Sequence, residues 1–317
     1  MAILKDTTVT GNLTASSNVT SNNLIVNTAI TLALNNTEAT PNTNTVGIFA
    51  RSIANRMVLA QVGPSGQDTS LQPLMARNKV GYWNPPGNAT TVPLAFGLAA
   101  PTANGTATAR TAATTNSLTR LRRLGYVSAA AAAGQAAGYR LASNQFTLGT
   151  ANGQGGFTYV HRFAVSDAVL ATNPNMFIGL NTITAAPANT APNTTNCIGV
   201  AQIQGSNNYQ IVYGGSAAQP AVNIATTWAR ANNTTEFFEL ALFSSPFHAN
   251  ASNTIVNYRF EKVDGTGANV ATGTIEGPAT VLPSNTTLLG IQTWRSGAAT
   301  AIATGIDLIS LYIETDD

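Results

Sequence analysis

Charge is the scarcest ingredient of this 317-residue sequence. Asp, Glu, Lys and Arg make up 9% of it, against about 25% in an average soluble domain. Apolar residues do not fill the deficit, since the hydrophobic fraction is 44%; Thr, Asn, Ser, Ala and Gly do. With so little Glu and Lys a long coiled coil is excluded. Ordinary disorder needs low hydrophobicity with high net charge, and the formal net charge is only +2. No window approaches the roughly 20 consecutive apolar residues of a membrane-spanning helix, so no membrane insertion is expected. The single cysteine, Cys197, excludes an intrachain disulfide, and its setting in Asn196–Val200 reads as a strand with a small buried apolar residue. The opening Met1–Asp6 lacks the apolar stretch of a signal peptide, which points to synthesis and folding in a cytoplasm.

The near-neutral total conceals an asymmetry. Residues 1–150 hold ten cations and three anions, a formal +7, whereas residues 151–317 hold five cations and ten anions, a formal −5. Such a split can mark nucleic-acid binding. Apart from Arg120, Arg122 and Arg123 the cations are scattered and are not interleaved with stacking aromatics. Complementary packing between subunits or neighbouring proteins is therefore the expectation, with no nucleic-acid partner.

Residues 7–34 contain no charge at all. Val9, Leu13, Val19, Leu24, Val26 and Ile30 punctuate a Thr/Asn/Ser background, partly at the period-2 spacing of strands. A lone ribbon of this kind is marginal in water; wound with identical copies it buries its apolar edge, so these six residues are candidate oligomer or docking contacts. Residues 48–60 suit a short helix or an edge strand equally. Leu118, Leu121 and Leu124 have the spacing of a helix face, and Ala/Thr/Gly-rich stretches surround them. From residue 145 onward, ten short segments of alternating or continuous apolar character are separated by Gly, Asn, Pro and Ser turns, and no helical crossover intervenes. The expected fold is all-β: an N-terminal β shaft or docking ribbon over 1–47, an irregular connecting region over 48–144, and a C-terminal antiparallel β-sandwich of jelly-roll or lectin-like type over 145–317.

Motifs of catalysis are missing. Neither His161, in mid-strand, nor His248, in a turn, has the neighbours of a hydrolytic triad, and no G-x-S-x-G elbow occurs. Glu236 and Glu239 lie three residues apart on a strand and so point to opposite faces, which does not suit the paired carboxylates of a glycosidase. Zinc, EF-hand and dinucleotide signatures are absent. No catalytic residue, metal or cofactor is expected. Trp228, Trp294 and Tyr213 are candidate rings for stacking on a ligand, with core packing as the ordinary use of such side chains.

Some stretches resemble a known group of proteins. Met1–Leu13 resembles the N-termini of tailed-bacteriophage fibre and baseplate-associated proteins. Ile53–Met57, Val62–Thr69 and Leu71–Pro73 resemble a block of phage virion proteins, and the similarity continues through Gly155–Phe157, Phe177–Leu180, Asn196–Gly199 and Leu311–Glu314. The resemblance implies a homotrimeric virion component, assembled in the host cytoplasm, with other virion proteins of baseplate, tail or capsid as partners and a host surface glycan as ligand. A tail fibre is the first expectation and a purely structural head fibre, decoration or tail adaptor the second. A glycan depolymerase would need clustered acids on a β-helix. A bacterial surface lectin would need a secretion signal.

Overall fold

The computed structural model describes residues 31–32, 45–62, 68–70 (backbone), 79–92, 95–129, 135–149, 155–188, 190–206, 208–224, 235–246, 252–263 and 269–315. Two compact units partition the chain, Met1–Ala33 and Leu34–Asp317. The candidate docking residues Val9, Leu13, Val19, Leu24, Val26 and Ile30, together with Trp228 and His248, lie outside the described residues.

The second unit is an antiparallel β-sandwich, and all described pairings within it are antiparallel. Strands are numbered in chain order. A small sheet comes first, of β1 (Gly47–Ile53), β2 (Arg56–Val62) and β3 (Asp68–Ser70). Nine strands form one layer of the sandwich: β4 (Lys79–Trp83), β5 (Ala95–Phe96), β7 (Thr106–Arg110), β8 (Arg123–Val127), β10 (Phe157–Val165), β15 (Phe237–Ser244), β16 (Thr254–Val263), β17 (Asn269–Gly277) and β19 (Gly305–Thr315). They run in the order β17-β16-β15-β10-β19-β4-β5, and β7 and β8 join alongside β19. Seven strands form the other: β6 (Thr102–Asn104), β9 (Ala136–Arg140), β11 (Asn175–Asn181), β12 (Cys197–Gln202), β13 (Gln210–Gly214), β14 (Val222–Asn223) and β18 (Gly290–Ser296), ordered β14-β13-β12-β11-β18-β9-β6.

Alternation explains why these layers close on one another. Along β10, Phe157, Tyr159, His161, Phe163 and Val165 point inward while Thr158, Val160, Arg162 and Ala164 point outward, the period-2 geometry of a pleated strand. β16 does the same with Val256, Tyr258 and Phe260. Phe163, Phe238 and Phe260 stack at centroid separations of 5.5–6.3 Å, and Tyr209, beside the opposite sheet, tilts onto Phe238 and Phe260 at 5.0 and 5.4 Å. Each such aromatic removes about 1.5–3 kcal/mol worth of apolar surface from water, so this knot is the mechanical centre of the sandwich.

The architecture agrees with the expected all-β antiparallel sandwich, and three details differ from the sequence reading. Strands drawn from 79–140 pair directly with strands beyond 145, through β4 and β8 on β19 and β9 on β18. A boundary at 144/145 would cut both sheets. The helix spacing of Leu118, Leu121 and Leu124 is not a helix: Leu118 and Leu121 sit in a turn packed on the outer face of the nine-stranded sheet, and Leu124 belongs to β8 and reaches the core. Asn116 and Thr119 close that turn through reciprocal bonds between side chain and backbone, which compete with helix continuation. Finally, residues 48–60 form the hairpin β1–β2, turning at Ala54-Asn55 with φ of 48° and 62°, the positive values of a type I′ turn.

Candidate functional site

The outer faces of both sheets carry depressions. On the seven-stranded sheet, residues 182–188 and 190–196 border the ends of β11, β12 and β18 and leave a cleft of about 330 Å³. Phe177, Trp294, Asn181 and Gln292 form its floor, and Ala186, Ala188, Thr190 and Asn193 its rim. Amides build the wall. Asn181 Nδ2 donates to Gln292 Oε1 at 2.9 Å, and its Oδ1 accepts from the Ile183 amide at 2.8 Å. Gln292 Nε2 donates to the Ile183 carbonyl at 2.6 Å, and Asn144 Nδ2 and Arg140 Nε hold the Thr182 and Thr184 carbonyls. The segment is thereby fixed on the sheet without a disulfide or charge pair at its base.

Trp294 is only 5% exposed and packs with Ala136, Phe177, Cys197, Ala201 and Val212. It is a buried part of the cleft floor rather than the open stacking platform its sequence position invites. Tyr213 faces the other way: it packs against the inner core beside Val222, on the opposite face of the same sheet. Trp294 and Tyr213 therefore cannot share a ligand. The Cys197 thiol is buried, donates to the Asn193 carbonyl at 3.2 Å and is pushed by burial up to about 12, so it carries no thiolate at neutral pH.

On the nine-stranded sheet the β1–β2 hairpin lies against the outer face by its turn. Asn55 Nδ2 donates to Asn257 Oδ1 at 2.7 Å. Arg56 forks onto Glu314 at 2.8 and 3.0 Å and also reaches Thr158 Oγ1 at 2.5 Å. Between hairpin and sheet is a hollow of about 460 Å³, lined by Arg51, Ser52, Asn55, Asn257, Arg259 and Thr272 among others. Arg259 is anchored at the floor by Glu239 (3.3 Å) and Glu261 (2.5 Å). Because Glu239 and Glu261 are directly opposed across β15 and β16, Arg259 also relieves a like-charge pairing.

Ionisable groups elsewhere are satisfied structurally. Asp167 takes Arg295 on both oxygens at 2.7–3.1 Å, deep at one end of the sandwich. Asp307 joins Arg110 and Arg123, both at 3.1 Å. Glu236 pairs with Lys262 at 2.9 Å and Glu239 with Arg162 at 2.6 Å, so the two glutamates do not face each other across a groove. His161 is wholly buried; the hydroxyls of Tyr139 and Thr293 approach its Nε2, and burial lowers its pKa from 6.5 to about 3. Among the described residues no group of three His, Cys, Asp or Glu side chains is placed to hold a metal ion.

No family model and no curated protein matches the sequence. Solved structures similar in fold include peanut lectin with a nine-residue peptide, 11% identical over 75% of this chain and 97% of that one, with a TM-score of 0.44. Arcelin-5, a lectin-like defence protein from Phaseolus vulgaris, is 8% identical over 75% and 98%, with a TM-score of 0.45. Lectin II from Ulex europaeus is 12% identical over 68% and 92%, with a TM-score of 0.40. The likeness is one of strand layering, and no residue role is carried across.

Proposed function

We propose that this chain is a structural virion protein of a tailed bacteriophage, a trimeric tail fibre whose β-sandwich attaches the particle to the host surface by reversible binding of a glycan. The observation that supports this reading is the chemistry of the cleft beside Trp294. Its lining offers amides, hydroxyls and apolar walls and no ionisable side chain. Such a surface recognises a neutral polyhydroxylated ligand through hydrogen bonds and apolar contact, and supplies neither nucleophile nor acid for breaking a bond. Three weak sites on one rigid particle gain avidity without new contacts.

The test is to purify the full chain, determine its mass in solution, and measure its binding to host cells and its competition with phage adsorption. A trimer that binds and blocks adsorption is expected. Ala188 is exposed on the cleft rim, so Ala188→Trp should fill the cleft, leave the fold intact and weaken cell binding about tenfold or more, the loss of ~1.4 kcal/mol per site. A monomer that fails to bind cells overturns the reading.

A second reading, a head decoration or tail adaptor without a host ligand, is favoured by the hairpin. Ile48, Met57 and Leu59 are exposed together on one face of β1–β2, the kind of apolar surface that marks a protein neighbour. In that case excess purified protein leaves infection unaffected, and cross-links from the hairpin lead to another virion protein.

A further inference from the structure

We propose that the cleft beside Trp294 is selective for saccharides bearing an acetamido group, whose methyl rests on the cleft floor while its amide bonds to the rim. The proposal rests on the attachment reading and narrows the ligand class of that same site. About 330 Å³ of space accommodates one such group and the sugar ring that carries it, at the small end of ligand sites. No ionisable side chain is among the described residues that line the cleft, so a neutral group enters without leaving a charge unpaired.

The floor is apolar in effect. Phe177 is 1% exposed and Trp294 5%, which leaves too little ring face for a sugar ring to stack on but enough for a methyl. The side-chain amides beside these rings are already committed to the fold. Asn181 and Gln292 bond to each other, to the Ile183 amide and to the Ile183 and Ala185 carbonyls. Asn193 spends its Nδ2 on the Thr195 carbonyl at 2.6 Å, and its Oδ1 accepts from the Thr195 amide and hydroxyl at 3.3 and 3.1 Å. A hydroxyl pressed onto this floor loses water without gaining a full set of partners, whereas a methyl gains by leaving water.

The rim supplies the hydrogen-bonding groups that the floor withholds. Ala186, Ala188, Thr190 and Ala191 line the cleft and are exposed, and among the described residues their backbone N–H and C=O groups take no hydrogen bond. Three of these four side chains are single methyls, so nothing long screens the backbone behind them. Pro187 and Pro192 fix φ at their own positions and draw Ala186 and Ala191 before them toward extended backbone, which lowers the ordering cost of binding. A secondary amide brings one donor and one acceptor next to a methyl, the combination that this rim and floor match. The methyl of a 6-deoxy sugar has neither group beside it, and an O-acetyl ester has acceptors only.

The experiment titrates the purified full chain with N-acetylglucosamine and N-acetylgalactosamine, and with glucose, galactose and 6-deoxygalactose, by saturation-transfer NMR. At least one acetamido sugar should bind about tenfold more tightly than its parent hexose and than 6-deoxygalactose, with the strongest transfer at the acetyl methyl. Ala188→Trp and Ala186→Trp fill the cleft from two exposed places on the rim, and each should abolish that preference at unchanged melting temperature. Tyr82→Ser, which removes an exposed aromatic from the opposite sheet, should leave it intact. Parent hexoses or 6-deoxygalactose bound as well as the acetamido sugars, strongest transfer at ring protons, or a preference that survives either folded rim variant would each overturn the proposal. Cell binding that Ala188→Trp weakens in a chain indifferent to the acetamido group overturns this specificity alone, whereas a chain that binds no cells overturns the attachment reading.

Discussion

His161 lies between the sheets with Tyr139, Tyr159 and Thr293 around it, and burial holds its pKa near 3 in the folded state against 6.5 when solvated. A folded pKa below the unfolded one means that the unfolded chain takes up the proton first. Stability should therefore be flat above about pH 6.5 and fall as pH drops toward 3, at roughly 1.4 kcal/mol per unit from this group. Denaturant midpoints at pH 7, 5.5 and 4 check this. His161→Gln should flatten the slope relative to the native chain, and equal slopes would contradict it. Arg295 and Asp167 form a buried pair in which each partner depends on the other. Arg295→Met should cost about 3–5 kcal/mol, because it strands a carboxylate in the interior, whereas Arg295→Met with Asp167→Leu should cost clearly less than the two single changes added together. Urea unfolding of the four proteins closes that cycle.

At the level of elements, the hairpin turn is a place where local preference and structure disagree. Ala54 adopts φ 48°, a left-handed conformation costing an L-residue with a Cβ roughly 1–2 kcal/mol. Ala54→Gly should raise the melting temperature by a few degrees, equivalent to about 1 kcal/mol; an unchanged or lowered value would show that the alanine methyl packs too well to lose. This turn also explains why 48–60 reads ambiguously as sequence. No Asn-Gly pair announces it, and apolar residues fall on both faces because one face packs inward through Val58, Ala60 and Val62 while the other exposes Ile48, Met57 and Leu59. β10, β15 and β16 were legible because their core-facing positions take bulky apolar residues at every second place, Tyr159 and Phe163, Phe238, Leu240 and Leu242, and Val256, Tyr258 and Phe260. β9 was not, because Ala136-Ala137-Gly138 carries no bulky alternation: a Cβ at Gly138 would strike the Thr293 carbonyl and Trp294 Cα of β18. Gly179 and Gly199 face each other across β11 and β12, and a Cβ at Gly199 would sit 3.0 Å from Gly179 Cα. Gly199→Ala should therefore separate these strands and lower stability beneath the cleft.

At the scale of the whole molecule, the low charge content has a consistent physical meaning. Of the described buried or half-buried ions, Asp167, Glu236, Glu239, Asp307 and Glu314 each take an arginine or lysine, so the few charges present are spent on ion pairs within the fold. Trp294 was visible in the sequence as an aromatic on a strand, but not that a loop would close over it. The hairpin hollow was invisible, since its residues come from β1–β2 and β16–β17 and carry no shared motif. The central claim is that the sandwich binds host-surface glycan reversibly and leaves it whole. Calorimetric titration of purified host polysaccharide into the full chain, with the polysaccharide sized before and after, tests it most directly. A saturable signal, an unchanged size distribution and marked weakening by Ala188→Trp are expected; no binding, or a shortened polysaccharide, would contradict the claim.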